Sequence, residues 1–438
     1  TGKPAKIVYS RYESQICSSP RHEMEVRVRL GADEKGTLKA IDIHTLSNTG
    51  AYGEHGPTTV GLSGHKPLGL YRNTEAYRFS YEVVYTNQMS AGAYRGYGAT
   101  QGIFALESAV DELAHKMKMD PVVFREMNLS KEGCRFIGYD GSPWVTSCTL
   151  DKCLARAKAM IGWDEKYPCR DMGNGKVRAV GAAIAMQGSS IAKVDISPYD
   201  SGSYASATTY VTGMAVADAC EQLREKIKEL GASMLDTEPD QVEFDGKRVY
   251  KLNGEGEVSL EAVAVKGTSG NNTSLQAGAT RSSQISPPPF MAGIVELEID
   301  KETGALEILD YAAVVDCGTP VNPNLARVQT EGGLAQGIGM ALYEDIQYND
   351  RGQMRNNSFM QYKIPARTDL KNIRVEFIPS YEKSHPFGAK SIGEMVINTP
   401  CPAIANAVYN AVGVRIREMP ITPEKIAMAL ADENKTED

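Results

Sequence analysis

Apolar residues in this sequence recur with a period of two in some stretches and with a helical period in others, and the two kinds are interleaved along the chain. That interleaving commits the chain to a mixed α+β fold, because a period-two stretch cannot present one apolar face as a helix. Met24–Leu30 alternates, turns at Asp33–Gly36 and resumes over Leu38–Leu46, which reads as a hairpin. Tyr77–Tyr85 is a further strand, Gln101–Met117 has helical spacing, and Asp120-Pro121 supplies a cap and first-turn proline for a helix through Asn128. A short helix is predicted over Thr149–Met160, a polar loop over Tyr167–Lys176, a strand over Ala179–Met186 and a long amphipathic helix over Thr212–Leu230. Val242–Tyr250 reads as a strand pair, Thr268–Thr280 as an exposed loop, and Ile294–Ile299 with Leu306–Val315 as a hairpin across Asp300–Gly304. Ala403–Val412 and Pro423–Leu430 close the chain as helices. At 438 residues there is material for two domains, drawn at 1–172 and 173–438 with the change somewhere in Pro168–Gly181.

Composition removes several classes of function. A net charge of −8 argues against broad nucleic-acid binding, and no apolar run reaches the roughly 20 residues needed to span a bilayer. Thr1–Tyr12 has no apolar core of a signal peptide, and the eight cysteines include no CxxC pair. That pattern suits free thiols in the cytoplasm and makes an iron–sulfur cluster on this chain unexpected.

Four segments carry residues suited to chemistry. Gly92–Gln101 (GAYRGYGATQ) joins a strand to a helix. Its glycines let a ligand approach the backbone, Arg95 supplies a cation, and Tyr94 and Tyr97 supply flat walls. An ordinary glycine-rich turn with a surface arginine explains the same residues. Ser197–Thr212 is dense in hydroxyls, including Ser201, Ser203, Ser206, Thr208 and Thr209, just before a helix. Such a segment satisfies phosphate oxygens, or simply caps the helix. In Val314–Gly339 the glycines at 332, 333, 337 and 339 surround Gln336, implying either a bound flat ligand or a tight helix contact. In Phe387–Glu394 the carboxylate of Glu394 follows Gly393 and precedes the apolar Met395–Ile397. Desolvation there would raise its pKa toward the range of a general base, although a lone glutamate is more often solvated or capping.

Together and in this order, the four segments resemble the molybdenum-binding subunit of the xanthine dehydrogenase and aldehyde oxidoreductase (molybdenum hydroxylase) family, closest in texture to bacterial purine or N-heterocycle hydroxylases. The arginine-between-aromatics motif is matched by Ala93–Gly98, the pterin-phosphate loop by Tyr204–Thr208, the glutamine of a glycine-rich helix by Gln336, and the essential glutamate by Gly393-Glu394. The resemblance implies two α+β domains forming an elongated molybdenum-pterin-binding portion, with the cofactor between them. It implies Glu394 as the catalytic base and Arg95, Tyr97 and Gln187 as substrate-binding residues. Cofactor contacts would fall to Tyr94, Arg95, Gly96, Ala205, Ser206, Ala207, Thr208, Gln336 and Gly393. Gly188 and Ser189 fall beside Gln187 on another wall of the pocket. The metal, held by the pterin dithiolene and by no side chain, would carry oxo, hydroxyl and sulfido or selenido ligands. The implied reaction inserts water-derived oxygen into an electron-poor C–H of a purine or other N-heterocycle, with the hydroxyl attacking carbon and hydride passing to the sulfido or selenido.

The resemblance also implies partners. The pterin is expected as its cytosine dinucleotide, with [2Fe–2S] and FAD on partner chains of a hetero-oligomer. An N-terminal portion and a Gly-Gln-Gly segment near Val194–Ser197 have no counterpart here. A separate chain or residues missing from this sequence would explain the first gap, missing residues the second, and a true truncation either; a separate chain carrying the rest of the subunit is thus a further expected partner. The alternatives are an aldehyde oxidoreductase, a carbon monoxide dehydrogenase relative (less expected, since its copper-binding cysteine has no match here) and a truncated, cofactor-free scaffold. His55, His65, Glu54 and Lys66 lie in Ala51–Leu70, where the family often sets substrate preference.

Overall fold

The computed structural model describes residues 2–72, 74–135, 144–189, 203–269, 275–283 and 285–436. By contact the chain divides into two compact units, residues 1–189 with 284–438, and residues 190–283.

The larger unit opens with helix α1 (Arg11–Cys17), closed by a Ser10–Glu13 capping box. Strands β1 (Glu23–Ala32) and β2 (Leu38–Asn48) form the expected antiparallel hairpin, and β3 (Ala76–Val84) pairs with β2 in parallel. A parallel neighbour needs a crossover, and helix α2 (Gly56–Leu68), whose residues follow no helical apolar stripe, provides it. Helices α3 (Ala99–Lys116), α4 (Pro121–Asn128), α5 (Leu150–Ile161) and the single turn α6 (Trp163–Lys166) follow. Asp120 caps α4 by accepting the Val122 and Val123 amides, as its position before proline predicts.

The stretch Tyr167–Lys176, expected as a loop, contains strand β4 (Cys169–Gly173), which pairs with β5 (Lys176–Met186). β4 is an edge strand of mostly exposed residues, which is why it lacks the apolar alternation of a buried strand. The expected division at residues 172 and 173 falls in this hairpin, within a single sheet.

The smaller unit contains helix α7 (Gly213–Met234), a three-stranded sheet of β6 (Val242–Phe244), β7 (Arg248–Lys251) and β8 (Glu257–Ser259), and helix α8 (Leu260–Ser269). Its core gathers Ile227, Ala232, Val242, Val249 and Val263. The turn at Asp245–Gly246 stands where expected; residues 270–274 of the expected exposed loop lie outside the described residues.

The chain then rejoins the larger unit through β9 (Phe290–Asp300) and β10 (Leu306–Asp316), followed by helix α9 (Pro323–Leu342), β11 (Ile373–Phe377), α10 (Pro400–Val412) and α11 (Pro423–Thr436). The five-stranded sheet runs β11-β10-β9-β5-β4, antiparallel except for the parallel β10–β11 pair. Ala179–Met186 and Phe290–Leu297 are buried without alternation, as strands covered on both faces must be. Helices α5 and α10 pack against this sheet. At Gly181 a Cβ would stand 2.2 Å from the Ala403 carbonyl oxygen, so a side chain would push α10 off the sheet. The approach lets the Asn406 and Asn410 amides donate to the Ala182 and Val180 carbonyls at 3.1 and 2.7 Å. No helix among the described residues is long and apolar enough to cross a membrane.

Candidate active site

Arg95 gathers three of the four motifs. Its Nε donates to the Gly393 carbonyl, Nη1 to Gln336 Oε1 at 2.9 Å, and Nη2 to the carbonyl and Oε1 of Gln329 at 3.1 and 3.0 Å. Residues 234 to 298 apart in sequence are thus held by one planar fork, which leaves a single Nη1 proton without a partner among the described residues. Because a guanidinium only donates, Gln336 must turn its oxygen toward Arg95, and its two amide protons are left to face elsewhere. Burial pulls the Arg95 guanidinium below its ordinary range, and the nearby Glu394 carboxylate pulls it partly back. Glu394, half-buried, is the residue after that Gly393 carbonyl.

The backbone of the Arg95 loop demands its glycines. Gly96 has φ +86°, and a Cβ there would lie 2.1 Å from Thr100 Oγ1 and 2.9 Å from an Ile397 methyl. Tyr97 itself adopts φ 40°, which is rare without glycine, and its ring is buried. Its hydroxyl meets His55 Nδ1 at 2.9 Å. His55 stands where α2 begins, also at positive φ, whereas His65 lies within α2 with its ring edge-on to Phe79. Lys66 is buried in α2, and Glu54 accepts the Ser19 hydroxyl. Tyr94 is the less buried ring of the loop, its phenol pushed up by partial burial and then by Glu344.

The glycine-rich helix resolves the two readings left open by its sequence. Cβ atoms at Gly333 and Gly337 would collide with Val396 and Pro400, so these glycines bring α9 against the Glu394–Pro400 segment. A Cβ at Gly332 would meet nothing within 4 Å among the described residues.

A third wall comes from the end of β5. The Met186 carbonyl accepts the Asn398 amide at 3.3 Å, and the buried Ser189 hydroxyl accepts the Ser391 N–H at 3.1 Å, so these contacts bracket Glu394. Between them Gln187 is buried, and its Oε1 has no hydrogen-bond partner among the described residues. A buried amide oxygen without a donor costs about 1–3 kcal/mol, so this atom is suited to a donor on a ligand.

The Phe387–Glu394 segment is anchored from below. Lys390 forms a fully buried ion pair with Asp316 at 2.9 Å. Glu382, also fully buried, accepts the Thr146 and Ser147 hydroxyls at 2.7 Å and the Ser384 hydroxyl at 2.6 Å, while its amide donates to the Gly388 carbonyl. Burial alone would raise its carboxyl, but these hydrogen bonds outweigh it and hold the group below its ordinary 4.5. A depressed folded-state value gives stability that is complete above the ordinary value and lost as pH falls through the folded one. Glu382→Gln is therefore expected to lower the unfolding free energy at neutral pH by about 1.5–3 kcal/mol. Urea titrations should show the gap to wild type narrowing as pH falls below the ordinary carboxylate range; a gap that widens there contradicts the assignment.

The hydroxyl-rich segment belongs to the smaller unit, and its residues 197–202, Ser201 among them, lie outside the described residues, as do Val194–Ser197. Tyr204–Ser206 form a single tight turn in which Ala205 and Ser206 take φ 50° and 62°, and Ala207 leads into a π-helical turn at Thr208–Thr212. Two successive non-glycine residues in the left-handed region cost roughly 1–2 kcal/mol each, which marks the turn as shaped for more than capping. Thr208 Oγ1 donates to Ser203 Oγ at 2.8 Å.

Sequence reasoning missed Gln329 and Arg21. Gln329 lies two helical turns before Gln336 on the same face, a spacing that could have found it. Arg21 lies in an irregular stretch before β1 with no local signal.

This arrangement of arginine loop, glutamine helix and half-buried glutamate sits on a fold shared with solved molybdenum enzymes. The structure superposes on quinoline 2-oxidoreductase from Pseudomonas putida 86 with a TM-score of 0.85 and 22% identity, covering 97% of this chain and 64% of that one. The molybdopterin cofactor-binding domain family matches twice, over residues 1–129 and 189–371. The chain belongs to the molybdenum hydroxylase family that includes xanthine dehydrogenase molybdenum-binding subunits. It is 32% identical to the probable hypoxanthine oxidase XdhD of Escherichia coli K12 over 498 aligned positions, covering 98% of this chain and 51% of that protein. It is 29% identical to the putative xanthine dehydrogenase molybdenum-binding subunit XdhA of the same organism, covering 97% of this chain and 64% of that one. The chain thus spans about half to two thirds of the length of these relatives. The alignment to XdhD is longer than the 438 residues of this chain, so that relative carries residues without a counterpart here.

Proposed function

We propose that the chain is the catalytic part of a molybdenum hydroxylase that oxidises an electron-poor C–H of a purine or another N-heterocycle. The observation that carries this reading is the Arg95 fork, which holds Gly393 and Gln336 together and so sets Glu394 beside the Tyr94–Gly98 loop. The names of the two relatives, a hypoxanthine oxidase and a xanthine dehydrogenase subunit, favour a purine.

The residues present fit a molybdenum pterin. Gln336 has amide protons to donate, Gln187 Oε1 asks for a donor, and the surface at Gly332 is open to a flat group. In the smaller unit, the turn Ala205-Ser206-Ala207-Thr208 would take the pterin phosphate on its hydroxyls and amides. The two halves 1–172 and 173–438 would each contribute to cofactor binding. When bound, the group supplies the two-electron oxidation of the substrate carbon.

The protein's own work is positioning and proton transfer. Glu394 accepts the proton released from water at its carboxylate oxygen, with the Arg95 guanidinium nearby. Tyr97, fixed by His55, offers a ring edge or face to a planar substrate, and Gln187 a polar handle. With no direct side-chain ligand to the metal, Tyr94, Arg95, Gly96 and Gly393 act by shaping the wall.

Electrons leave through partners in this reading, a [2Fe–2S] subunit and an FAD subunit in a cytoplasmic hetero-oligomer, with the pterin as its cytosine dinucleotide. A separate chain would carry the remainder of the molybdenum-binding subunit. The test is metal and pterin-nucleotide analysis of the purified complex, followed by steady-state assays with hypoxanthine, nicotinate and an aldehyde. Molybdenum with turnover of hypoxanthine or nicotinate is the expected result. Turnover of the aldehyde alone replaces the substrate class with that of an aldehyde oxidoreductase, and a complex purified without molybdenum leaves only the scaffold reading.

A further inference from the structure

Residues 19–22, just before β1, run as a rib beneath the Arg95 loop. The Gly92 amide donates to the Pro20 carbonyl at 3.0 Å, and the Gln101 side-chain amide donates to the His22 carbonyl at 2.9 Å, so the rib is tied at both ends of the loop. Between these ties stands Arg21. Its Nη2 donates to the Arg95 carbonyl, its Nη1 approaches Thr100 Oγ1 at 3.4 Å, and its guanidinium lies 4.5 Å from the centre of the Tyr94 ring. Thr100 in turn donates to Asn398 Oδ1 at 2.7 Å, so the chain of contacts ends on the far side of Glu394.

We infer that Arg21 is a positioning residue for the proposed active site, holding the backbone of Arg95 and the ring of Tyr94 so that the Arg95 fork reaches Gly393, Gln329 and Gln336. Arg95 is gripped at two points, its carbonyl by Arg21 and its guanidinium by the opposite wall. An arginine side chain hangs from a backbone with Tyr97 at φ 40° on one side and two glycines at positive φ around it, and such a backbone keeps that shape only when its surroundings impose it. Arg21 imposes it through a charge-assisted hydrogen bond and a cation–π contact at once, which a lysine cannot reproduce in the same geometry. No carboxylate among the described residues comes within ion-pair distance of Arg21, and burial pushes its guanidinium down to about 10. A half-buried arginine that is spent on a carbonyl and a ring is poorly explained as a surface charge.

The inference rests on the reading of the Arg95 loop as the active site, and its test does not. Hydrogen exchange on the whole protein follows the Tyr97 and Ala99 amides, which donate to Tyr94 and Gly96 within the loop, against the β1–β2 ladder as the control. Arg21→Gln is expected to speed exchange at the two loop amides by about tenfold or more while the ladder amides keep their rates, and Arg21→Lys to recover only part of the protection. Loop amides within about twofold of wild type in Arg21→Gln, or loop and ladder speeding equally, overturn the inference. If Arg21→Gln does not fold, Arg21→Lys decides by itself: selective opening of the loop supports the role, and wild-type exchange refutes it. Turnover of the complex is measured on the same variants, where a positioning role lowers kcat more than it raises KM. Full activity in Glu394→Gln would sink the enzymatic reading while leaving the exchange result standing.

Discussion

Exchanging Glu394 for glutamine is expected to lower kcat by about 10²- to 10⁴-fold while molybdenum content and melting behaviour stay at wild-type levels. Glutamine keeps the size and one acceptor of the side chain but cannot take up a proton. The segment that carries it is held by its neighbours. Its neighbour Gly393 contacts Arg95 through a backbone carbonyl, Ser391 contacts Ser189 through its amide, and the following turn Met395–Ile397 is buried by its own apolar side chains. Steady-state kinetics of the complex with hypoxanthine, alongside elemental analysis, checks the prediction. A variant within tenfold of wild type would remove Glu394 from the proton-transfer role.

The second large effect is on stability. Lys390→Met is expected to lower the unfolding free energy by about 3–5 kcal/mol, because it strands Asp316 as a buried charge. Both side chains of the pair are fully buried. Asp316 also accepts the Thr149 amide, the Gly318 amide and the Ser380 hydroxyl, so it is hydrogen-bonded on both oxygens but keeps no other cation within ion-pair distance among the described residues. Lys390 completes its own set with the Ser147 carbonyl and lies over the Phe290 ring. Urea denaturation of Lys390→Met, Asp316→Asn and the double variant gives the coupling directly. The double variant should recover part of the loss, since both charges are then gone, and a single-variant loss below about 1 kcal/mol would contradict a charge stranded in the core.

The residues that made the fold legible are those whose neighbours in sequence are also their neighbours in space. The β1–β2 and β9–β10 hairpins, the capped helix after Asp120 and the long helix beginning near Thr212 all announce themselves through local period and turn chemistry. The α2 crossover did not, because its glycines, prolines and threonines follow no helical stripe and their burial is set by the sheet beneath. β4 was hidden for the opposite reason, its side chains facing water on an edge.

At the site, the motif residues were visible in sequence, and the fork brings Arg95, Gln336 and Gly393 together. Their mutual arrangement was not visible, since a guanidinium joining positions hundreds of residues apart leaves no periodic trace. Glycine spacing in α9 showed that something approaches closely; only the collision of a Cβ at Gly333 with Val396 shows that it is the glutamate's own segment. Arg21 was invisible for the same reason, being defined by what it grips.

Strands β5 and β9 are direct antiparallel neighbours, with Met186 opposite Phe290, yet the chain between those two residues contains an entire second unit. A hairpin whose connection is itself a folded body has a useful property. The entry and exit points are clamped side by side in the sheet, Met186 opposite Phe290, so the ladder itself closes the loop that the inserted body makes. Length changes confined to that body leave the register to β5 and β9 themselves, paired from Lys176–Asp300 to Met186–Phe290.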